Sequence, residues 1–444
     1  MQICLWGGLA LLGWTAVSWG QSPGERFVLS GPLSLNEAVT TALRESPMVK
    51  GQSAEVEGAR ARLRRAVADT RLIGSATSHV TAGDGVNMLS GPSSVMPSDM
   101  EMIGPSASFN QNLTALFPLY TGGRLKSRVT SARSLYESIQ ADEETVRQDI
   151  QLDTRVAYRR VLWTRAVVDI FQALVDADQE RLRIDRAMYD AGKVPLVNVL
   201  RNEADLADAQ QKLTDARRDL NIARVDLKTV MGVDQKSDFV PSEQLALENL
   251  NPEGDTVQQL ALESRPELQA VSKRLEAAGA EVKVAHSAFK PQVDFAAVTD
   301  WRSQRGAGND AGVTVGVIAS LPLLDGGSRK AQVAEAKADV QKVRQDGEQI
   351  KLIVTKQVHT SLLQLTAATQ NITTAQAAVK AAEEDYRLAQ LRYSSGKGIN
   401  LEPLDALSAL TRARTNLVQA LFEQNVAIDM LERAVGAPVR GERQ

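Results

Sequence analysis

Glu402 and Asp405 are the side chains in this sequence whose type and spacing come nearest to a chemical site. They follow Asn400 closely and flank Pro403. Taken alone they suit a helix start: an asparagine cap, a proline in the first turn, and carboxylates favoured by the helix dipole. Other candidates carry less. His79, His286 and His359 fall in different elements without metal-ligand spacing, so no metal site is expected. Gly122-Gly123 and Gly326-Gly327 precede no Walker pattern and suit a turn from strand to helix. No nucleophile–base pair or cofactor loop has usable spacing, so neither an enzyme nor a cofactor is expected.

The elements that hold these residues are mostly helical. In 444 residues, aromatics make up only 4%, which suits Ala- and Leu-rich helices better than a β-rich core. The formal charge of −3 and the lack of a basic stripe argue against a nucleic-acid partner. Residues 1–20 carry no charged side chain, have an apolar centre at Leu9 to Leu12, and end in Ser18-Trp19-Gly20. This reads as a secretory signal, although no Lys or Arg precedes its apolar centre. The single cysteine, Cys4, lies within it and too early for a lipidation site, so the mature chain is expected to have no thiol and no acyl anchor. Beyond it no apolar run reaches the roughly 18 to 20 residues of a membrane helix. Any membrane crossing must use amphipathic strands closed into a barrel.

The chain repeats itself. Residues 42–47 align with 261–266, Phe117-Pro118-Leu119-Tyr120-Thr121-Gly122-Gly123 with Leu321-Pro322-Leu323-Leu324-Asp325-Gly326-Gly327, and Tyr189 to Lys193 with Tyr393 to Lys397. The second and third blocks share one offset of about 204 residues. The extra length in copy one falls in the Gly-, Pro-, Ser- and Met-rich stretch 83–105, a long exposed loop. The expected organisation is a first repeat over 21–233, a linker over 234–254, a second repeat over 255–436 and a tail over 437–444. Each repeat has a helix, a β-hairpin (about 72–117 and 291–321), a long helix (122–191 and 326–395) and a final helix (196–231 and 400–435).

The final helices carry seven-residue tracks. Leu206, Leu213, Leu220 and Leu227 run beside Ala209, Ala216 and Ala223. In copy two, Leu410, Leu417 and Leu431 are broken by Gln424, beside Ala413, Ala420, Ala427 and Ala434. Such repeats signal coiled-coil packing, ended here by Gly232 and Gly436. The long helices before them have no internal proline and could each span roughly 100 Å. Around Gly192-Lys193 and Gly396-Lys397-Gly398 the chain turns back in helical-hairpin tips. Val293, Phe295, Ala297, Thr299 and Trp301 alternate onto one face, as do Val313, Val315, Val317, Ala319 and Leu321. Phe109, Leu113, Ala115 and Phe117 do so with Gln111 interrupting, and residues 72–81 form the weakest strand. Trp301, at a strand end, is a candidate interface aromatic. Four strands cannot close a barrel, so the chain must oligomerise, and three copies would supply twelve.

The duplicated strand, Pro-Leu-x-x-Gly-Gly and long-helix junction, the Tyr-x-x-Gly tips and the Leu/Ala heptads ending in glycine resemble the TolC-type outer membrane efflux proteins over nearly the whole mature chain. That resemblance implies a mainly α fold: a homotrimeric α-barrel of long coiled-coil helices in the periplasm, continued by a twelve-stranded transmembrane β-barrel in the Gram-negative outer membrane. The linker and termini would form an equatorial belt. It implies a passive exit duct of a tripartite efflux or type I secretion system, docked through its tips (Gly192, Lys193, Gly396, Lys397) to a periplasmic adaptor and an inner-membrane pump. It also places a periplasmic gate at Glu402, Asp405 and Tyr393. The family's gate arginine is matched by Gly398 and a gate aspartate by Asn198, with Arg201 offering a substitute pairing. A cell-surface adhesive coiled coil would explain the heptads, but not two strand pairs each followed by Gly-Gly and a long helix.

Overall fold

A computed structural model describes residues 27–83, 106–248, 250, 252–304 and 308–439. The expected signal over 1–20, nearly all of the 83–105 loop and residues 440–444 of the tail lie outside them. Copy one runs β1 (Ser30–Leu33), α1 (Leu35–Glu45), α2 (Pro47–Ala68), β2 (Ile73–Gly83), β3 (Ser106–Tyr120), α3 (Arg124–Asp190) and α4 (Leu196–Met231). After β4 (Asp238–Pro241), copy two runs α5 (Gly254–Ser264), α6 (Pro266–Ser287), β5 (Gln292–Gln304), β6 (Gly308–Ser320), α7 (Ser328–Ser394) and α8 (Leu401–Val435). Each opening helix of a repeat is thus two helices. Proline forces the preceding residue out of the helical region, so Ser46 and Arg265 are extended and each helix restarts at Pro47 or Pro266.

The strands form one antiparallel sheet in the order β2-β3-β5-β6. In its register Phe109, Leu113 and Phe117 share a face with Trp301, Phe295 and Val315, while Asn110, Asn112 and Thr114 share the other with Arg302, Asp300 and Thr77. One face is apolar and the other polar, the alternation of a strand with lipid on one side and water on the other. Trp301 packs edge-on against Phe109, ring centroids 6.1 Å apart. Both outer strands, β2 and β6, have an unpaired edge within the protomer. Among the described residues no helix is long and apolar enough to cross a membrane.

The heptad tracks point inward. Ala209, Leu213, Ala216, Ala223 and Leu227 of α4 are buried, as are Leu410, Ala413, Ala420, Ala427 and Leu431 of α8. α4 packs on α3 and α8 on α7, while α3 also meets α8, α6, α2 and α1. Two apolar cores lie where the long helices pass the short ones: Leu33, Tyr158, Leu227, Met231 and Phe239 in copy one, and Val358, Ile428, Leu431 and Val435 in copy two. Gly232 and Gly436 close the heptad helices with positive φ, of 71° and 76°. A Cβ on Gly232 would lie 2.9 Å from Glu45 O, and one on Gly436 3.3 Å from Ser264 O. Glycine therefore lets each final helix end against the break between the opening two. This serves the same purpose in both copies.

A short parallel pair, β1 with β4, ties the start of copy one to the linker. The linker is also gripped by the heptad break. Gln424 donates through Nε2 to Glu248 O at 3.0 Å and accepts from Glu248 N at 3.2 Å, and Asn425 Nδ2 donates to Ala246 O at 3.0 Å. Beneath it Arg159 of α3 pairs with Asp429 and Asn425 of α8 and reaches Glu248 at 3.5 Å. Arg155 pairs with Glu432 in the same row.

Candidate functional site

Both helical tips are built alike. Gly192 and Gly396 follow their long helices with φ of 68° and 72°. Lys193 N donates to Met188 O at 2.8 Å, and Lys397 N to Arg392 O at 2.9 Å, closing the last carbonyls in a six-to-one turn. Gly192, Lys193, Gly396 and Lys397 are all exposed at the turn.

Glu402 lies in the first turn of α8 and Asp405 just past it, exposed. Asn400 does not cap the helix with its side chain, a departure from the expected cap. It adopts helical φ and ψ and turns inward, with Nδ2 3.4 Å from Asn202 Oδ1. Glu402 is engaged within its own tip, 3.3 Å from Arg392 Nε. A Cβ on Gly398 would sit 3.0 Å from the Glu402 carboxylate and 3.2 Å from Arg392 Cβ. The missing side chain at 398 thus leaves room for this pair. Arg201 is exposed on α4, with no ion pair inside the protomer to Glu402 or Asp405, and Asn198 is half-buried in the first turn of the same helix.

The hydrogen bonds that join the two tips run from Tyr393, a gate candidate from the sequence, through Asp185 and Asn202, which were not singled out there. Tyr393 Oη donates to Asp185 Oδ1 at 2.7 Å, and Asn202 Nδ2 donates to Asp185 Oδ2 at 2.5 Å. With Asn400 on Asn202, the chain of contacts links α7, α3, α4 and α8. Asp185 is fully buried. Burial, followed by the carboxylate it donates to, pushes the Tyr393 hydroxyl well above the ordinary tyrosine range, so it remains a donor at any physiological pH. Signals for Asp185 and Asn202 were weak: a polar residue at a core position of a helix has the same letters as one on the surface. Their place on the inward tracks, Asn202 seven residues before Ala209, is the signal that could have found them.

The outer membrane efflux protein family model matches residues 39–233 and 257–437, one match for each repeat. The chain belongs to this family. It is an outer-membrane transport channel component, with its helical part on the periplasmic side. It is 26% identical to the outer membrane efflux protein BepC of Brucella suis over 330 residues, 72% of this chain and 70% of that one. It is 24% identical to the cobalt-zinc-cadmium resistance protein CzcC of Cupriavidus metallidurans over 323 residues, 72% and 75% of the two chains. The fold matches the outer-membrane channel OprN with a TM-score of 0.77 at 22% identity, covering 92% and 91% of the two chains. It matches the open-state MtrE channel of Neisseria gonorrhoeae with a TM-score of 0.75 at 19% identity, over 92% and 90%. The adhesive alternative gains nothing from these relatives.

Proposed function

We propose that three copies of this chain form a passive exit duct with a twelve-stranded barrel and a periplasmic tunnel, docked by its tips to an adaptor and pump. The observation that carries this reading is the pair of open edges, β2 and β6, on a sheet with one apolar face. In lipid such edges must be paired, and β6 of one copy set beside β2 of the next continues the antiparallel order. The helices support the same arrangement. Arg159 and Leu363 occupy equal positions in α3 and α7, and Asp429 and Val225 equal positions in α8 and α4. Within a protomer α3 meets α8 through Arg159 and Asp429, both buried. The equivalent seam, α7 against the next copy's α4, would bring together Leu363, 72% exposed in the protomer, and Val225, 49% exposed.

The gate lies at the tips. Tyr393, Asp185, Asn202 and Asn400 hold the two copies together there, and Asp405 with Glu402 lines the entrance. Because Arg392 already engages Glu402, Asp405 supplies most of the free acidic charge. Arg201 and Asn198 belong to the rim rather than the lock. The tip turns with Lys193 and Lys397 are the adaptor contacts. Substrate choice lies with the pump, and the metal-resistance relative gives metal ions as one class to assay.

Single-channel recording with added divalent cations tests the entrance. Asp405→Ala is expected to weaken the block by several-fold and Glu402→Ala to weaken it less. Block unchanged in the double variant would remove both residues from the tunnel mouth.

A further inference from the structure

We infer that Arg181 is the open-state partner of Asp185, taking the carboxylate oxygen that Tyr393 releases when the tips part. This rests on the gate reading above and adds a residue that the lock itself does not use. Arg181 lies on α3 one turn before Asp185, so the two share a helix face. Its side chain is only 10% exposed. Nη1 and Nη2 are buried without a hydrogen-bond acceptor, although Nη1 lies 3.3 Å from Asp178 Oδ1. Buried guanidinium donors left unsatisfied are costly, and a rearrangement that satisfies them is favoured by that amount.

Asp185 has the complementary deficiency. Its carboxylate is fully buried, yet the donors on it are a phenol and an amide, both neutral. The tip therefore holds a buried anion and a buried cation, one turn apart, that are not bonded to each other. Asp178 is the arginine's present ion-pair neighbour. Burial raises its carboxyl above the usual range, an effect that Arg181 and Lys212 offset only in part, so it holds the guanidinium less firmly than an ordinary carboxylate would. Asn202 is on α4, the helix paired with α3, so it stays with Asp185 when α7 moves. Only Tyr393 leaves. Its departure frees Oδ1, and the guanidinium of Arg181 can reach it by a change of rotamer on the same helix. Closed and open tips would each give Asp185 two donors. The switch is then between two bonded states rather than between a bonded state and a broken one.

The test uses the full-length channel reconstituted in planar bilayers, with open fraction as the readout and thermal melting as a check on folding. Tyr393→Phe is expected to raise the open fraction, and Arg181→Gln alone to leave it no higher than in the parent channel. Tyr393→Phe with Arg181→Gln is expected to be about tenfold less open than Tyr393→Phe alone, the scale of one hydrogen bond to a charged group. Arg181→Lys in the same background should keep most of the opening. Two results would overturn the role of Arg181 while leaving the gate intact: a double variant as open as Tyr393→Phe, or Arg181→Gln opening the tips by itself, as a closed-state strut would. A Tyr393→Phe channel that stays shut overturns the gate reading, and the role of Arg181 falls with it.

Discussion

The two long helices have the same length, 67 residues, and the same Gly-Gly start, yet they live in different surroundings. α3 runs through the middle of the protomer, packed by α4 on one side, α8 on another and the short helices above. It buries charged and polar side chains, among them Arg159, Asp178 and Asp185, each beside a partner. α7 lies at the margin and keeps Leu352 and Leu363 exposed. Duplication produced two copies of a helix, and the position of each in the folded chain decided what its matching residues became. Inside the protomer the partner helix belongs to the same chain, so specific ion pairs can be built and retained. At the margin, plain apolar surface is what the protomer shows, and in the proposed trimer its partner helix comes from another chain.

The strongest way to break this comparison is Arg159→Ala. Removing the guanidinium takes away the nearest cation beside buried Asp429 and leaves Arg155 3.7 Å from it, and loss of one member of a buried pair costs about 3–5 kcal/mol. Thermal melting in detergent should show a markedly less stable protomer. A change near zero would mean that the α3–α8 contact is not held by charge. A sharper test of the margin is Leu363→Asp. It should leave helix content unchanged by circular dichroism while dissociating the oligomer in mild detergent, since burying an unpaired carboxylate in an apolar seam is strongly unfavourable. An oligomer of unaltered size would move the seam elsewhere on α7.

The smallest effect belongs to the strand-to-helix junctions, where copy two has Asp325 and copy one Thr121. Asp325 accepts from Arg329 N at 2.9 Å, Arg329 Nε at 2.6 Å and Gly327 N at 3.1 Å. The Arg329 side chain, with these amides, lowers its carboxyl from 3.8 to about 2. A depressed carboxylate stabilises the fold above its unfolded value and loses that contribution as pH falls through the folded one. Amide protection at the start of α7, corrected for the intrinsic exchange rate at each pH, should therefore fall as pH drops from about 4 toward 2, with no matching change at the start of α3. Asp325→Asn should remove most of that pH dependence.

Much of this architecture could be read in the letters, and the exceptions have physical causes. The heptads of α4 and α8 and the two-residue alternation of β3, β5 and β6 are long periodic signals, and the described elements follow them closely. The four-residue strands β1 and β4 are too short to show any period. Pro47 and Pro266 stood in the aligned repeat, but their meaning as helix breaks needed the extended residues before them. Gln424 looked like a fault in a leucine track. Its amide instead replaces a backbone edge for the linker, a contact over 176 residues that no local pattern carries. At the tips, Tyr393 and Glu402 were within reach because of resemblance. Asp185 and Asn202 were not, because their importance lies in being buried.

The sheet with its two bare edges has a consequence for biogenesis. One newly exported chain carries four strands whose outermost amides and carbonyls have nothing to bond inside hydrocarbon. A lone copy is therefore barred from the bilayer by its own backbone, however apolar its outer face. If the barrel is closed by three copies as proposed, assembly comes before or together with insertion, and the rate of delivery to the membrane should depend steeply on how many copies wait in the periplasm. The same backbone hydrogen bonds that complete the wall would act as a licence to enter it.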